Sequence, residues 1–335
     1  MGVVVGANAE FTARCIAGKI GQSKDVDWSK ILPRPLPDKP TDALRAPLLA
    51  TAWIRHSMVL YYTISTTLIR DAELTMYLRE IHAENNIPTL YQFIKENPLG
   101  LLTTALDSNT FHFLQSSHIP WVLDNPDGEG TTELGTLRGH IARANPQAKS
   151  FIEAAKEARD GLTNADGSYT LTRDVLVIFN GPAHHYVTPK FYTETKPATG
   201  KVVPTWNYSA VQVYGRATIF YETKADSTHT FLNKQIRGLT NHNEVETMGN
   251  KENPWAVEDA PESYIEILKK AIIGIQIKIS DIGGKWKMSQ ESTAGDQEGV
   301  INGFAKLDTE LGKEMSETVK ARCAEKEAKT HVVRK

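Results

Sequence analysis

The strictest constraint on the fold is an alternation of apolar and polar residues in two segments of the chain. Residues 209–220 carry an apolar or small residue at every second position, and isoleucine recurs with the same period over residues 273–279. Because successive side chains of a β-strand point to opposite faces, both segments are predicted to be strands. The second strand is predicted to run into a turn at Gly283-Gly284.

Shorter segments predict further strands. They are apolar or rich in β-branched residues, are bounded by turn-forming residues, and span residues 99–106, 111–123, 136–143 and 174–179. The first two are expected to pair as a hairpin. The last is a continuous apolar run, as in a strand buried on both faces, and is predicted to be central. The predicted fold class is therefore mainly β with short helices, an α+β arrangement.

Helices are predicted between these strands. Residues 89–96 have helical spacing and stop before Pro98, because proline disfavours a helical conformation in the residue before it. Asn145-Pro146 is predicted to open a helix that ends near residue 159. Residues 262–272 place apolar side chains on one helical face, which is expected to pack across the β-structure.

The composition indicates an ordinary globular protein. The 335 residues are 40% hydrophobic and 23% charged, with a net charge of −2. This balance offers no excess of positive charge to neutralise a phosphate backbone, which counts against DNA binding as the primary activity. Cys15 and Cys323 form neither a CxxC pair nor a disulfide framework, and no standard secretory signal opens the sequence. A reducing, cytoplasmic location is expected.

The N-terminal segment, residues 1–75, differs in composition from the rest. Its apolar run at 46–69 is interrupted by Arg55 and His56, and the uninterrupted half is shorter than the ~20 residues that a bilayer span needs. This counts against a membrane helix. The segment is interpreted as an extension of uncertain order or as the product of a start codon upstream of Met76.

The C-terminal segment, residues 311–335, is rich in Glu, Lys and Arg. It is predicted to be a charged tail that forms a solvated surface helix, with a partner-binding arm as the alternative. Residues 76–310 between the two ends are expected to form the main domain.

Common catalytic motifs give no guide to function. The sequence has no nucleophile elbow, Walker loop, HExxH motif or Rossmann glycine fingerprint. No metal site is expected, because the adjacent His184 and His185 would point to opposite faces of a strand. The unusual strings are HIP at 118–120, GHIARANPQ at 139–147, GPAHHYVTP at 181–189, VPTWNY at 203–208 and GKWKMSQ at 284–290. In order and spacing they resemble the PaiB-type family of FMN-binding negative transcriptional regulators.

The resemblance begins at Met76-Tyr77 and extends to about Gly303. It implies a split β-barrel related to the pyridoxamine-phosphate-oxidase folds, a homodimer, and FMN held between the subunits. The sequence departs from the family pattern at Leu78-Arg79, at Lys190-Phe191-Tyr192, and in polar insertions at 124–133 and 162–173. The insertions are expected to enlarge loops and to leave the core intact.

The first group of candidate FMN-binding residues lies at the strand-to-helix corner. Arg143 and the start of the helix at Asn145 could both face the phosphate, since a helix N-terminus attracts anions. The alternatives are a surface ion pair for Arg143 and an ordinary helix cap for Asn145. The resemblance adds Gln147 to this group.

The second group follows the predicted glycine turn. Lys285, Ser289 and Gln290 belong to a segment with alternating polar and apolar residues, and are predicted to contact the phosphate or the flavin ring. The alternative is an edge strand whose lysines prevent sheet pairing. Trp206 and Asn207 are predicted to line the ring, with a dimer seam or core packing as alternatives.

The candidate histidines are His118 and His140, each on a predicted strand. A lone histidine there is more often structural than catalytic, so neither is assigned a catalytic role, but the matching strings place both among the FMN-binding candidates. No catalytic residue is predicted.

The expected function follows from the cofactor, because a flavin carries the redox chemistry itself. The chain is expected to be an FMN-dependent oxidoreductase of an unidentified small substrate or a flavin-linked regulator. The alternatives are a non-enzymatic regulator or interaction protein with the same fold, and a haem-binding relative with an axial histidine. Direct DNA binding is not expected, since no helix-turn-helix pattern is present.

Overall fold

The computed structural model describes residues 78–126 and 133–333. The strands are β1 (Ala83–Glu84), β2 (Leu99–Ala105), β3 (Leu114–Pro120), β4 (Val122–Asp124), β5 (Thr136–Ala142), β6 (Gly161–Thr163), β7 (Tyr169–Asn180), β8 (His185–Val187), β9 (Thr205–Phe220) and β10 (Ile272–Lys287). The helices are α1 (Ile87–Glu96), α2 (Pro146–Lys156), α3 (Thr195–Thr199), α4 (Asp226–His242), α5 (Glu262–Lys270), α6 (Ala294–Ala305) and α7 (Glu310–Val333). The predictions for residues 1–75 lie outside the described residues.

The described strands pair antiparallel in the order β3-β2-β7-β9-β10-β5-β4, with β1, β6 and β8 joined to this path. The sheet curls so that β3 and β5 approach each other. Gly139 on β5 permits this contact, because a Cβ there would lie 2.9 Å from both Ile119 and Trp121. The mainly β fold with helices around a split barrel is confirmed.

The barrel interior is filled by every second residue of the central strands. Leu102, Val177 and Val213 are cross-strand neighbours in one interior row, and all three are completely buried. Helix α2 adds Ala148 and Phe151 to the same core. Burial of such side chains is the main source of stability for a fold of this kind.

The period-two segments and the capping signals were interpreted correctly. Both long alternating segments are strands, and β2 and β3 form the predicted hairpin. Asn86 caps α1 and Asn145 caps α2, each accepting a hydrogen bond from a backbone N–H of the first turn. The ordinary helix-cap alternative for Asn145 is therefore confirmed.

The predicted turn at Gly283-Gly284 is wrong. Strand β10 continues through both glycines to Lys287, with a register shift between Ile279 and Asp281. Because β10 pairs with β9 on one side and with β5 and β1 on the other, it is not an edge strand either. The lysines at its end therefore do not serve to protect an open sheet edge.

The prediction that residues 174–179 are buried on both faces is only half correct. Strand β7 is central, between β2 and β9. Val175, Val177 and Phe179 are buried, whereas Leu176 and Ile178 on the other face are only half-buried. The single chain thus leaves exposed part of an apolar face that the sequence pattern expects to be covered.

The predicted packing of helix α5 is also wrong. Its apolar residues Tyr264, Ile267 and Leu268 are 55%, 64% and 44% exposed, while Lys269 is buried. The Lys269 ammonium donates to Asn233 Oδ1 on α4 at 2.7 Å and pairs with Glu266, which satisfies the buried charge. These contacts fix the helix with its apolar side facing outward.

The C-terminal segment is helical, as predicted, but it is not a solvated surface helix. Helix α7 buries Met315, Val319 and Cys323 in the main core. The chain divides into units Met1–Ala72 and Glu73–Lys335, so α7 belongs with the barrel. Within residues 78–126 and 133–333, no helix has the length and apolarity needed to span a bilayer.

Candidate functional site

One outer face of the sheet brings together a row of residues from successive strands. In the ladder pairing, His118 of β3 lies opposite Leu101 of β2, followed by Ile178 of β7, Gln212 of β9 and Gly283 of β10. Directly paired residues of antiparallel strands share a face, so all these side chains point outward from the barrel. We call the surface centred on this row the open face.

A second row extends the open face in one direction along the strands. It consists of Ser116, Thr103, Leu176, Tyr214 and Asp281. On β2, β7 and β9 the interior neighbours Leu102, Val177 and Val213 are buried, whereas the two rows themselves are half-buried or exposed. The open face therefore combines aliphatic side chains in its middle with polar groups at its margins.

Gly283 leaves a gap in the open face. A Cβ at this position would meet no heavy atom within 4 Å. Its neighbour Gly284 points into the barrel, where a Cβ would lie 2.3 Å from Leu90 Cδ2 and 2.6 Å from Trp286. The two glycines thus have opposite roles, because one permits interior packing and the other leaves a flat outer surface beside Gln212.

Hydrogen-bonding groups lie at the β3 margin of the open face. The hydroxyls of Thr103 and Ser116 are 2.9 Å apart, and the His118 side chain is exposed in the adjacent row. At the β10 margin, Lys285 pairs with Ala210, and its ammonium lies 5.6 Å from the centre of the Tyr208 ring. Hydroxyl, imidazole and ammonium groups are the donors that a phosphate monoester needs.

These residues fit FMN. An isoalloxazine ring needs a flat surface that is mostly apolar with a few polar contacts for its edge, and Leu101, Ile178, Gln212 and the gap at Gly283 supply one. The ribityl phosphate needs donors beyond the end of the ring, and the β3 margin supplies them. The fit depends on these outward-facing strand residues and requires no rearrangement of the barrel.

Arg143 is engaged within the protein. Its guanidinium donates to the carbonyl oxygen of Tyr221 at 2.5 Å and to that of Lys270 at 3.3 Å. It therefore joins the ends of β9 and α5 at the far end of the β9–β10 ladder from Lys285. The structure does not bring Arg143 together with Lys285, and the ion pair considered as its alternative role is replaced by contacts to carbonyl groups.

Gln147 is likewise used inside the fold. It is buried, and its amide nitrogen donates to Thr104 Oγ1 at 2.9 Å and to the carbonyl oxygen of Gln115 at 3.2 Å. Asn145 Nδ2 donates to Ser117 Oγ at 3.1 Å. These contacts attach α2 to β2 and β3 and place the start of the helix beside the β3 margin.

Asn207, Ser289 and Gln290 form a buried group after the end of β10. Asn207 Nδ2 donates to Ser289 Oγ at 3.0 Å, and both residues are at most 1% exposed. Gln290 accepts from Met288 N and donates to Trp286 O, each at 2.6 Å. Their hydrogen bonds fix the chain as it leaves β10, where Ser289 has a positive φ of 62°.

His140 and His118 lie in different environments. His140 pairs with Gly274, and Gly274 packs against Phe231 of α4. The His140 Nδ1 atom is buried and has no hydrogen-bond partner among the residues that the structure describes. Burial lowers the pKa of the His140 imidazole. His118 is exposed on the open face, so of the two histidines it is the one positioned to contact a ligand there.

Trp206 belongs to an exposed group of aromatic side chains. Its ring centre is 6.3 Å from that of Tyr186 and 6.1 Å from that of His184. It occupies the same face of β9 as Gln212, because both are at even positions of one strand. Among the predicted residues, Trp206, His118 and Lys285 therefore lie on the outer side of the sheet, where Trp206 and His118 are exposed and Lys285 is buried.

Sequence reasoning missed Gln212, Ile178 and Gly283. Gln212 and Ile178 were correctly predicted to lie in strands, whereas Gly283 was wrongly predicted to lie in a turn, and none of the three was predicted to belong to a site. Two sequence signals could have indicated the site. The unbroken apolar run at 174–179 predicts that the outer face of this strand is covered by another group, whereas the alternation at 209–220 leaves the outer face of its strand polar. Pairing register, which the sequence does not specify, places these residues side by side.

The contacts of the Glu291 carboxylate, close to the end of β10, predict acid sensitivity. Burial alone would raise the pKa of the Glu291 carboxyl, but the His82 hydrogen bond at 3.0 Å, its backbone N–H and Lys287 lower that pKa to about 2. A lowered pKa stabilises the fold above the ordinary value of 4.5, and this contribution is lost as the pH falls from 4.5 towards 2. We expect Glu291→Gln to be less stable than wild type at pH 7, with the difference shrinking at pH 3.

Urea unfolding of both proteins at the two pH values measures this effect. Glu310→Gln is the control, because Glu310 is 92% exposed and its salt bridge with Lys313 lies on the surface, where such pairs contribute little to stability. A difference between wild type and Glu291→Gln that stays constant from pH 7 to pH 3 would contradict the assignment.

Comparison with known proteins places the chain in a family. The model described as "Putative FMN-binding domain" matches residues 76–281, so the chain belongs to this FMN-binding family. The predicted resemblance and FMN as the cofactor are confirmed. The matched range ends within β10 and contains both rows of the open face except Gly283.

The chain is also similar to individual proteins and to solved structures. An uncharacterised protein of Aspergillus fumigatus is 55% identical over 256 residues, which cover 74% of this chain and 97% of that protein. The Bacillus subtilis protease synthase and sporulation protein PAI 2 is 26% identical over 242 residues, covering 72% of this chain and 95% of that one. Among solved structures, a flavocytochrome of Azotobacter vinelandii matches with a TM-score of 0.34 and 11% identity, covering 63% of this chain and 72% of the other.

Proposed function

We propose that the protein is an FMN-dependent oxidoreductase that binds its flavin on the open face and acts as a homodimer. The observation that carries the proposal is the row from His118 to Gly283, which presents an apolar surface with polar ends on the outside of a flavin-family barrel. Bound FMN would supply hydride or electron transfer, so the protein needs to bind, orient and shield it.

The residues of the open face divide this work. Leu101 and Ile178 form the apolar floor under the ring, and the Gln212 amide is placed to hydrogen-bond its polar edge. Gly283 keeps the surface flat where any side chain would project into the ring. Thr103 and Ser116 hold the phosphate together with His118, near the start of α2.

The homodimer is proposed because one subunit leaves the open face incompletely covered. Leu176 and Ile178 are half-buried, and Leu99 and Leu114 at the β2–β3 margin are 59% and 65% exposed. Exposed apolar surface of this kind is typical of a binding interface. A second copy packed on this face would bury it, exclude water from the flavin and strengthen the polar contacts around it.

Anaerobic reduction of the bound flavin tests the enzymatic part of the proposal. We expect NADH or NADPH to bleach the oxidised flavin band with a rate that saturates with donor concentration. Dithionite serves as the control for a flavin that can accept electrons. Reduction by dithionite but by neither nicotinamide would contradict a nicotinamide-driven oxidoreductase and favour the flavin-linked regulator.

A further inference from the structure

An aromatic cluster lies on the surface of the sheet beyond the open face. We define it as Trp206, Tyr186 and His184. The ring centre of Trp206 lies 6.3 Å from that of Tyr186 and 6.1 Å from that of His184. Trp206 is 49% exposed and Tyr186 is 43% exposed. Large aromatic side chains contribute most when they are buried or stacked, so a group of them left in water indicates a surface that binds something flat.

The position of the cluster relates it to the proposed flavin site. Tyr186 pairs with Trp206, and Trp206 lies on the same strand and the same face as Gln212, six positions away. At roughly 3.3 Å per residue, this places the two side chains about 20 Å apart along β9. A ligand that contacts both must therefore be long, with one flat group at each end.

Positive charge lies along and around this path. Lys285 and Lys287 occupy the rows between Gln212 and Trp206. Lys285 is only 9% exposed, and Lys287 Nζ donates to the carbonyl oxygen of Trp206 at 3.2 Å and lies 3.6 Å from the Glu291 carboxylate. Lys190 and Lys201, both exposed, lie on the segments that follow Tyr186 and precede Trp206. This distribution favours a ligand with anionic groups between or beside its flat ends.

The cluster geometry suits an inserted ring. The His184 imidazole and the Trp206 indole are inclined by only 30° to each other. Their 6.1 Å centroid distance is slightly less than the ~7 Å that a planar ring between two others requires, at about 3.5 Å per contact. His184 is exposed, so a small rotation of its side chain opens the space.

We infer that the aromatic cluster binds the adenine ring of a nicotinamide dinucleotide whose nicotinamide end reaches the flavin on the open face. The inference rests on the proposed function. A dinucleotide has two flat rings joined by a pyrophosphate, which matches two flat surfaces separated by lysines. A mononucleotide is too short to reach from Trp206 to Gln212.

The test compares Trp206→Ala with wild type in two separate measurements. Stopped-flow reduction of the FMN-loaded protein gives the concentration of NADH at half-maximal rate, and calorimetry gives the affinity of the flavin-free protein for AMP. We expect Trp206→Ala to raise the half-saturating NADH concentration about tenfold and to abolish AMP binding, since aromatic–base stacking is a large part of such affinities. The FMN affinity and the limiting rate of reduction should stay unchanged, and Trp206→Phe should restore most of the binding.

Trp255→Ala is the matched control, because Trp255 is 46% exposed but lies outside the cluster. Equal NADH dependence and equal AMP affinity in Trp206→Ala and Trp255→Ala would overturn the inference. A loss of FMN affinity in Trp206→Ala would also overturn it, by assigning the cluster to the flavin itself. If the wild-type protein retains FMN but does not bind AMP, the adenine site is overturned and the flavin site stands. If the wild-type protein binds AMP but does not retain FMN, the proposed function alone is rejected.

Discussion

Replacing Gly283 by leucine should abolish FMN binding and leave the fold intact. A leucine side chain would project from the open face into the space proposed for the flavin ring, where a Cβ meets no protein atom within 4 Å. We expect the dissociation constant for FMN to rise at least about 100-fold, which corresponds to ~2.7 kcal/mol of binding free energy. The free energy of unfolding should change by less than ~0.5 kcal/mol, as for other surface substitutions. Fluorescence titration with FMN and urea unfolding measure the two quantities.

Gly284→Ala is the matched control, one residue along the same strand. Its Cβ would lie 2.3 Å from Leu90 Cδ2 inside the barrel, and overpacking of this kind typically costs about 1–3 kcal/mol of stability. The folded fraction of this variant should keep its FMN affinity. An FMN affinity of Gly283→Leu equal to that of wild type would contradict a flavin site on the open face.

A charge at Ile178 should separate the subunits. Ile178 lies in the middle of the open face and is half-buried in the single chain, so a second copy packed there would bury it completely. Burying an unpaired ammonium costs several kcal/mol of free energy. Because dissociation returns the ammonium to water, this cost favours the separated subunits. We expect Ile178→Lys to be monomeric at concentrations where wild type is dimeric, as measured by sedimentation equilibrium.

Ile267→Lys provides the comparison for this experiment. Ile267 is 64% exposed on α5, on an apolar surface unrelated to the flavin face. This variant should remain dimeric. If Ile267→Lys dissociates and Ile178→Lys does not, the interface lies on α5 and the open face must be covered in another way.

The strands and their capped connections could be predicted from sequence because their causes are local. Alternation over 209–220 depends only on the strand geometry, and the Asn145 cap on α2 depends on its own side chain and the next two residues. The family resemblance added the barrel. These inferences required no knowledge of which strands are neighbours.

The roles of individual site residues could not be predicted, because their partners are distant in sequence. Arg143 bonds to the carbonyl oxygen of Tyr221, and Asn207 bonds to Ser289, so the chemistry of each is decided by the pairing of strands. A sequence motif marks both residues as unusual without distinguishing a ligand contact from a structural bond. Motif residues that are buried and hydrogen-bonded in the fold support the site without facing it.

Gly283 illustrates the remaining difficulty. Paired glycines usually signal a turn, but here they allow β10 to pass close to α1 on one side and to stay flat on the other. A pair of glycines looks the same in the sequence whether it forms a turn or lies within a continuous strand. Only the register of β10 on β9, with Gly283 opposite Gln212, reveals the difference.

The most direct test of the account is the absorption spectrum of the protein after incubation with FMN and gel filtration, with wild type, Gly283→Leu and Gly284→Ala in parallel. The account predicts flavin bands near ~370 and ~450 nm that elute with dimeric wild type and with folded Gly284→Ala, and none with Gly283→Leu. Flavin retained equally by Gly283→Leu, no flavin retained by wild type, or a Soret band in its place would contradict an FMN site on the open face.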